Sequence, residues 1–198
     1  MEGRWILRKL NLMKKALFFL FFSVSISGFS QTYFTRTGTT DFKASVTAFE
    51  PVEATNKSTT VILKTTTGDL AAQLFMTAFQ FRVALMQEHF NENYMDSNRH
   101  PKAVFRGKLA GFNFTEVSIQ KEYNLSGTLT IRGVKKEINT TATVTLDGDK
   151  IILSSKFTVA PQDFNIAIPK IVFFLYAYFC KIETTIHITF NYELVEKK

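Results

Sequence analysis

The chain has 198 residues, enough for one domain with a sizeable core. Phe is the outlier, with 21 copies against one Trp and one Cys; an intramolecular disulfide is therefore excluded, and Cys180 reads as a small buried hydrophobe. Five basic residues (Arg4, Arg8, Lys9, Lys14, Lys15) and Glu2 precede Ala16. Without them the 24 basic and 17 acidic residues become 19 and 16, so the net charge of +7 falls to +3, and no Lys/Arg stripe interleaved with aromatics argues for nucleic acid.

Lys14-Lys15 precede the apolar run Ala16 to Phe22, which continues through small residues to Ser30. A basic start, a short apolar stretch and a small-residue end are the marks of a secretory signal. Residues 1–30 are therefore expected to be a cleaved signal peptide, with Gly28 and Ser30 at the cleavage site and Met13 as an alternative start. The apolar run is short for a membrane span, and no Cys follows it to carry a lipoprotein anchor. Residues 31–198 are expected to form one exported domain.

From residue 31 the period is two. Phe42, Ala44, Val46 and Ala48 alternate with Asp41, Lys43, Ser45 and Thr47. The segment Leu70 to Phe81 slips in phase, since Leu70, Ala72, Leu74 and Met76 share one parity and Phe79 and Phe81 the other; a β-bulge near Thr77-Ala78 would turn both sets inward. Arg82 to Phe90 fits one or two helical turns, and Asn91 to Asn98 reads as a loop. Alternation resumes at Ala103-Phe105-Gly107-Leu109, Tyr123-Leu125-Gly127-Leu129-Ile131, Ile138-Thr140-Ala142-Val144-Leu146 and, last, from Ile182 to Leu194. Gly68-Asp69, Asp147-Gly148-Asp149 and Gly133-Val134-Lys135-Lys136 are hairpin signals between these runs. One apolar and one polar face per strand implies about eight or nine antiparallel strands, in a closed barrel or a two-layer sandwich.

The inward parity mixes small residues (Ala72, Ala103, Gly107, Gly127, Ala142, Ser155) with Phe42, Phe79, Phe81, Phe105, Phe157 and Phe190. A glycine inside a strand often marks close approach by a ligand or another backbone. The residues expected to line an apolar tunnel are Phe42, Leu74, Met76, Phe79, Phe81, Phe105, Gly107, Gly127, Leu129, Phe157 and Phe190. The alternative is that Phe side chains fill the space that Gly and Ala leave.

His89-Phe90-Asn91-Glu92-Asn93-Tyr94-Met95-Asp96-Ser97, then Pro101-Lys102-Ala103-Val104-Phe105-Arg106-Gly107, closely resembles the signature of the YceI-like family, polyisoprenoid-binding proteins of the bacterial periplasm. Further matches are Gly127 to Lys136, Phe157-Thr158-Val159, Asp163-Phe164-Asn165-Ile166 with Ile168-Pro169, and the opening Tyr33 to Gly38. The resemblance covers nearly all of 31–198. It implies an all-β fold, an extended lipocalin-like antiparallel barrel of about eight strands with one or two short helices. It implies a periplasmic carrier that holds a long-chain isoprenoid or similar amphipathic lipid, with no catalysis and no cofactor beyond that lipid.

One region departs from the family. Relatives have a short charged segment after Ile168-Pro169, whereas this chain reads Lys170-Ile171-Val172-Phe173-Phe174-Leu175-Tyr176-Ala177-Tyr178-Phe179-Cys180. Residues 171–180 are too few to span a bilayer; they read either as a cap over the barrel mouth or as a portal in contact with a membrane surface. Homodimerisation stays open.

Little else carries chemistry. His89 and Glu92 share a helical face, but a zinc site needs a third ligand and none is near, so no metal is expected. Asn91, Asn93, Asp96 and Ser97 suit loop and cap hydrogen bonds. Were the guest a diphosphate, Arg99, Lys102, Lys135 or Lys136 could neutralise it near the mouth. The competing readings are a secreted protein-interaction module with a fully packed barrel, and an enzyme acting on an isoprenoid lipid. The enzyme would need an ionisable group inside, and the inward parity offers only Tyr123 and Tyr192.

Overall fold

The computed structural model describes residues 31–45, 52–167 and 185–197, with the backbone alone for Ser45 and for 185–191. All lie in the unit Gln31–Lys198. The expected signal segment, the apolar run 171–180, Val46 and Ala48 fall outside the described residues.

The described strands are β1 (Thr32–Ser45), β2 (Val52–Lys64), β3 (Asp69–Phe75), β4 (Gln80–Phe81), β5 (Lys102–Leu109), β6 (Lys121–Ile131), β7 (Val134–Asp147), β8 (Lys150–Val159) and β9 (Thr185–Glu196). A short helix, α1 (Ala84–His89), lies between β4 and β5. The order β1-β9-β8-β7-β6-β5-β3-β2 is antiparallel throughout and closes on itself, because β1 pairs with β2 as well as with β9. Closure decides between barrel and sandwich. Eight strands form the ring, and β4 is an extra two-residue strand on β2.

Turn chemistry sets the registers. Arg132 (φ 50°) and Gly133 (φ 77°) are both left-handed, the condition for a two-residue hairpin whose twist matches its strands. The β6–β7 turn is therefore one residue earlier than the sequence pattern places it, and Val134 to Lys136 already belong to β7. Gly148 (φ 61°) turns β7 into β8.

The phase slip after β3 is not a bulge. Met76–Ala78 forms one 3₁₀ turn, which advances three residues per turn, so Met76 and Phe79 emerge on the same side. Both are buried, and β4 then pairs with Ala54 and Thr55. The loop expected from Asn91 is also corrected: α1 runs directly into a π-helical stretch, Phe90–Tyr94, closed by Met95 N–H donating to Phe90 O at 2.8 Å. Its wide turn buries both Phe90 and Met95. Ser97 Oγ, within reach of both Asn91 O and Asn91 Oδ1, ties the end of this segment back to its start.

Inward side chains form two clusters along the barrel. At one end, Val61, Leu63, Leu109, Leu125, Val144, Ile151, Leu153 and Leu194 make a tight core. The β5–β6 connection plugs that end with Val117, whose carbonyl accepts from Leu146 N–H at 2.7 Å, and with Phe114, whose ring lies 5.6 Å from that of Tyr33. Toward the other end the same strands contribute Ala54, Leu74, Ala103, Leu129, Ile138 and Val159, joined by Phe90, Met95, Phe164 and Ile166 from the connections. Phe105 and Phe157 pack against both clusters.

Candidate functional site

The second cluster does not fill its half of the barrel. Together with Thr40, Thr59, Leu70 and Tyr192 it lines a cavity of about 110 Å³. Phe42, Leu74, Met76, Phe79, Phe105, Leu129 and Phe157, all expected from inward parity, line it. Phe42, Leu74, Phe105, Leu129 and Phe157 reach it from five strands, and Met76 and Phe79 from the 3₁₀ turn after β3.

The other expected residues sit elsewhere. The Phe81 ring lies behind the wall, 5.6 Å from Phe42 and 5.0 Å from Phe90. Gly107 and Gly127 are beneath the ring of Phe105, where an added Cβ would stand 2.7 Å and 2.8 Å from Phe105 Cζ, so the space they leave is occupied by Phe105. The backbone of Phe190 pairs with Thr40 and Ser155; its side chain is outside the described residues.

Further lining residues were not on the expected set. Phe90, Met95, Pro161, Phe164 and Ile166 cover the cavity from the connections between strands. Their signal was in the motifs around His89 and Asp163, which periodicity cannot read. Pro161–Phe164 is a 3₁₀ turn leading to Asn165 in the left-handed region (φ 55°), and Arg132 Nη1 donates to Asn165 O at 2.8 Å. The β6–β7 hairpin thereby holds the segment that presents Phe164 and Ile166.

At the closed end of the cavity are Thr40, Thr59 and Tyr192, also unexpected as a group. Thr40 Oγ1 is 2.8 Å from Thr59 Oγ1 and 3.1 Å from Tyr192 OH, a buried chain of three hydroxyls joining β1, β2 and β9. Burial pushes the Tyr192 phenol up to about 12, although its bond to Thr40 pulls the other way. Two bulges bring this layer inward: the β1–β2 register shifts between Thr35 and Thr40, and on β2 the inward set steps from Asn56 to Thr59 across exposed Lys57 and Ser58.

No Asp, Glu, His, Lys, Arg or Cys lines the cavity among the described residues. The candidate head-group cations are outside: Arg99 pairs with Asp96 at 3.6 Å, Lys136 with Asp163 at 3.4 Å, Lys102 lies 4.9 Å over the Phe75 ring, and Lys135 is exposed. His89 and Glu92 are exposed, and no three His, Cys, Asp or Glu side chains among the described residues are placed to hold a metal. Chemically, the site can solvate an apolar chain, while the hydroxyls at one end are bonded to one another.

Known structures share this barrel. A polyisoprenoid-binding domain from Saccharophagus degradans aligns with a TM-score of 0.68 at 13% identity, covering 84% of this chain and 98% of its own. Burkholderia cenocepacia BcnA aligns with a TM-score of 0.59 at 17% identity, covering 79% and 96%. The YceI protein of Campylobacter jejuni aligns at 0.50 and 18%, covering 71% and 81%. No curated protein matches. The family description "YceI-like domain" matches residues 19–194, nearly the whole length, and the chain belongs to that family.

Proposed function

We propose that this protein binds and carries an apolar, isoprenoid-like lipid, without transforming it, after export to the periplasm. The observation that carries this reading is the cavity: a closed barrel half-filled at one end, with an apolar, charge-free space at the other. The fold shared with the Saccharophagus degradans domain, described as polyisoprenoid-binding, supports the same chemistry. Among the described residues the one titratable side chain in the lining is Tyr192, whose phenol burial holds protonated up to about 12, and this argues for carriage over catalysis, since proton transfer needs a group that titrates near the working pH.

Size adds a condition. A dry cavity of about 150 Å³ holds a benzene-sized guest, so 110 Å³ takes only part of a long chain. Uptake therefore requires the aromatic group over the cavity to move. Phe42 stacks on Phe90 at 5.3 Å and meets Phe79 edge-on at 5.4 Å, so rotating one ring shifts the others. Each methylene then buried contributes about 0.8 kcal/mol, enough for a few isoprene units to hold firmly.

Native mass spectrometry of protein purified from its own host tests the reading. A co-purifying lipid mass is the expected result; an empty chain that also refuses prenyl and fatty ligands favours the packed interaction module and overturns the carrier. Export is tested by fractionation, with the new N-terminus expected near Gln31. Contact of 171–180 with a membrane surface is tested by liposome co-sedimentation of wild type against Phe173→Ser/Phe174→Ser, with reduced partitioning expected of the variant.

A further inference from the structure

The floor of the cavity is built differently from its mouth. On β5 the Phe105 ring leans over Gly107 and across to Gly127 on β6; a Cβ on these glycines would stand 2.7 Å and 2.8 Å from Phe105 Cζ, so the ring rests on backbone and cannot sink. On β9 the Tyr192 ring is seated in the same way against β1. A Cβ on Gly38 would stand 2.6 Å from Tyr192 Cδ1, and the Tyr192 hydroxyl is tied to Thr40 Oγ1 at 3.1 Å. Leu70, the cross-strand partner of Gly107, and Thr59 complete the layer. Tyr192 and Leu70 belong equally to the tight core beyond it, where Leu63, Leu109, Leu125, Val144, Leu153 and Leu194 are fully buried. At the mouth, by contrast, Phe42, Phe79 and Phe90 pack on one another, and α1, which leads into Phe90, buries no residue of its own. The mouth can yield where the floor cannot.

We propose, resting on the carrier reading, that Phe105 and Tyr192 fix how much of a guest is enclosed: the end of its apolar chain stops on these two rings, whatever length of chain and whatever head group follow. Polarity sets the direction of entry. Because the Thr40, Thr59 and Tyr192 hydroxyls are bonded to one another, the cavity presents almost no polar surface even at this end, and what meets the guest is carbon. A hydroxyl, carbonyl or phosphate pressed against that surface would lose its bonds to water without replacement, a cost that a terminal methyl does not carry. The guest therefore enters tail-first. Volume sets the length: a dry cavity of about 150 Å³ holds a benzene-sized guest, so 110 Å³ receives about one isoprene unit, and further room comes from movement at the mouth. The class selected is a lipid with an apolar chain terminus, recognised by that terminus and held with its head away from the floor.

The test measures prenol, geraniol, farnesol and geranylgeraniol, alcohols of one to four isoprene units, by displacement of a fluorescent lipid probe from the full-length protein. Wild type is expected to gain at least about tenfold in affinity for each added unit that is buried, and then to level off within the series. Phe105→Ala and Tyr192→Ala each remove a six-carbon ring from the floor, roughly the bulk of one isoprene unit, and each is expected to level off one unit later. Should neither variant fold, nuclear Overhauser contacts in wild-type protein with bound farnesol decide. The terminal methyls are expected against the ring protons of Phe105 and Tyr192, and finding the hydroxyl-bearing end there overturns the proposal. An affinity that climbs evenly through all four units in wild type, or levelling at the same length in the folded variants, also overturns it and leaves the carrier standing. Failure of all four alcohols to bind removes both.

Discussion

Gly107 on β5 and Gly127 on β6 face each other across the ladder, closer than any pair with side chains could stand: a Cβ on Gly127 would lie 2.5 Å from Gly107 Cα and 2.4 Å from Arg106 O. The contact is with backbone, which cannot swing aside as a flexible side chain can. Gly127→Ala is therefore expected to force the two strands apart and destabilise the fold by about 1–3 kcal/mol, the usual range for overpacking. Urea denaturation checks this: the midpoint should fall with the slope unchanged, and an unchanged midpoint would show that the ladder yields freely.

The cavity can be filled without touching the ladder. Ala103 lines it beside Leu74, its cross-strand partner. Ala103→Leu is expected to leave stability unchanged or raise it by up to about 1 kcal/mol, because the new atoms enter existing space and become buried. Lipid binding should fall at least about tenfold. Full binding by this variant would mean that the guest sits elsewhere.

Tyr192 predicts an alkaline limb. Its phenol titrates at about 12 when folded against 10.0 for the unperturbed group, so the native state keeps a proton that the unfolded state releases. Stability from this source is fully present below about pH 10 and is lost as pH rises toward 12, by about 2–3 kcal/mol in total. Burial pushes Tyr33 in the same direction, with Glu196 and Asp149 adding to it. Denaturation midpoints measured across that range should decline steeply in wild type and more gently in Tyr192→Phe, where the Tyr192 contribution is gone and that of Tyr33 remains. Parallel declines would deny Tyr192 this role.

Arg132 reports on the cover of the cavity. Its guanidinium holds Asn165 O, and Lys136 pairs with Asp163 on the same turn. Arg132→Ala is expected to speed amide exchange at Asn165 and Ile166, whose N–H groups donate within the turn, by about tenfold, since hydrogen bonds to charged groups contribute about 1.5–3 kcal/mol. Exchange in the tight core at Leu125 and Val144 should not change. Uniform acceleration at all of these sites would point to global destabilisation.

The strands that the sequence displayed most openly are β5 to β7, where alternation is unbroken and Gly133 and Gly148 mark the turns by adopting positive φ. β2 was hidden for two physical reasons. Its inward set includes Asn56 and Thr59, polar residues that a hydropathy pattern assigns to solvent, and the bulge at Lys57-Ser58 breaks the period between them. The same effect concealed Thr40 on β1. The end of β3 was legible as a phase slip but not as a 3₁₀ turn, because both devices return Phe79 to the interior. The lining from Phe90, Met95, Phe164 and Ile166 depends on how non-periodic segments fold over the barrel, which local spacing does not encode.

The position of β9 has a consequence for how the chain is made. It is the last of the described strands, yet it stands between β1, the first of them, and β8. A growing chain that has not reached Thr185 holds two raw edges, one at each side of the gap, and every such edge invites pairing with another molecule. The ring cannot shut until Thr185–Glu196 arrive, and the contacts that shut it join strands far apart in sequence, which makes closure slow. Stopping synthesis before Thr185 would leave an adhesive open sheet in place of a slightly shortened barrel.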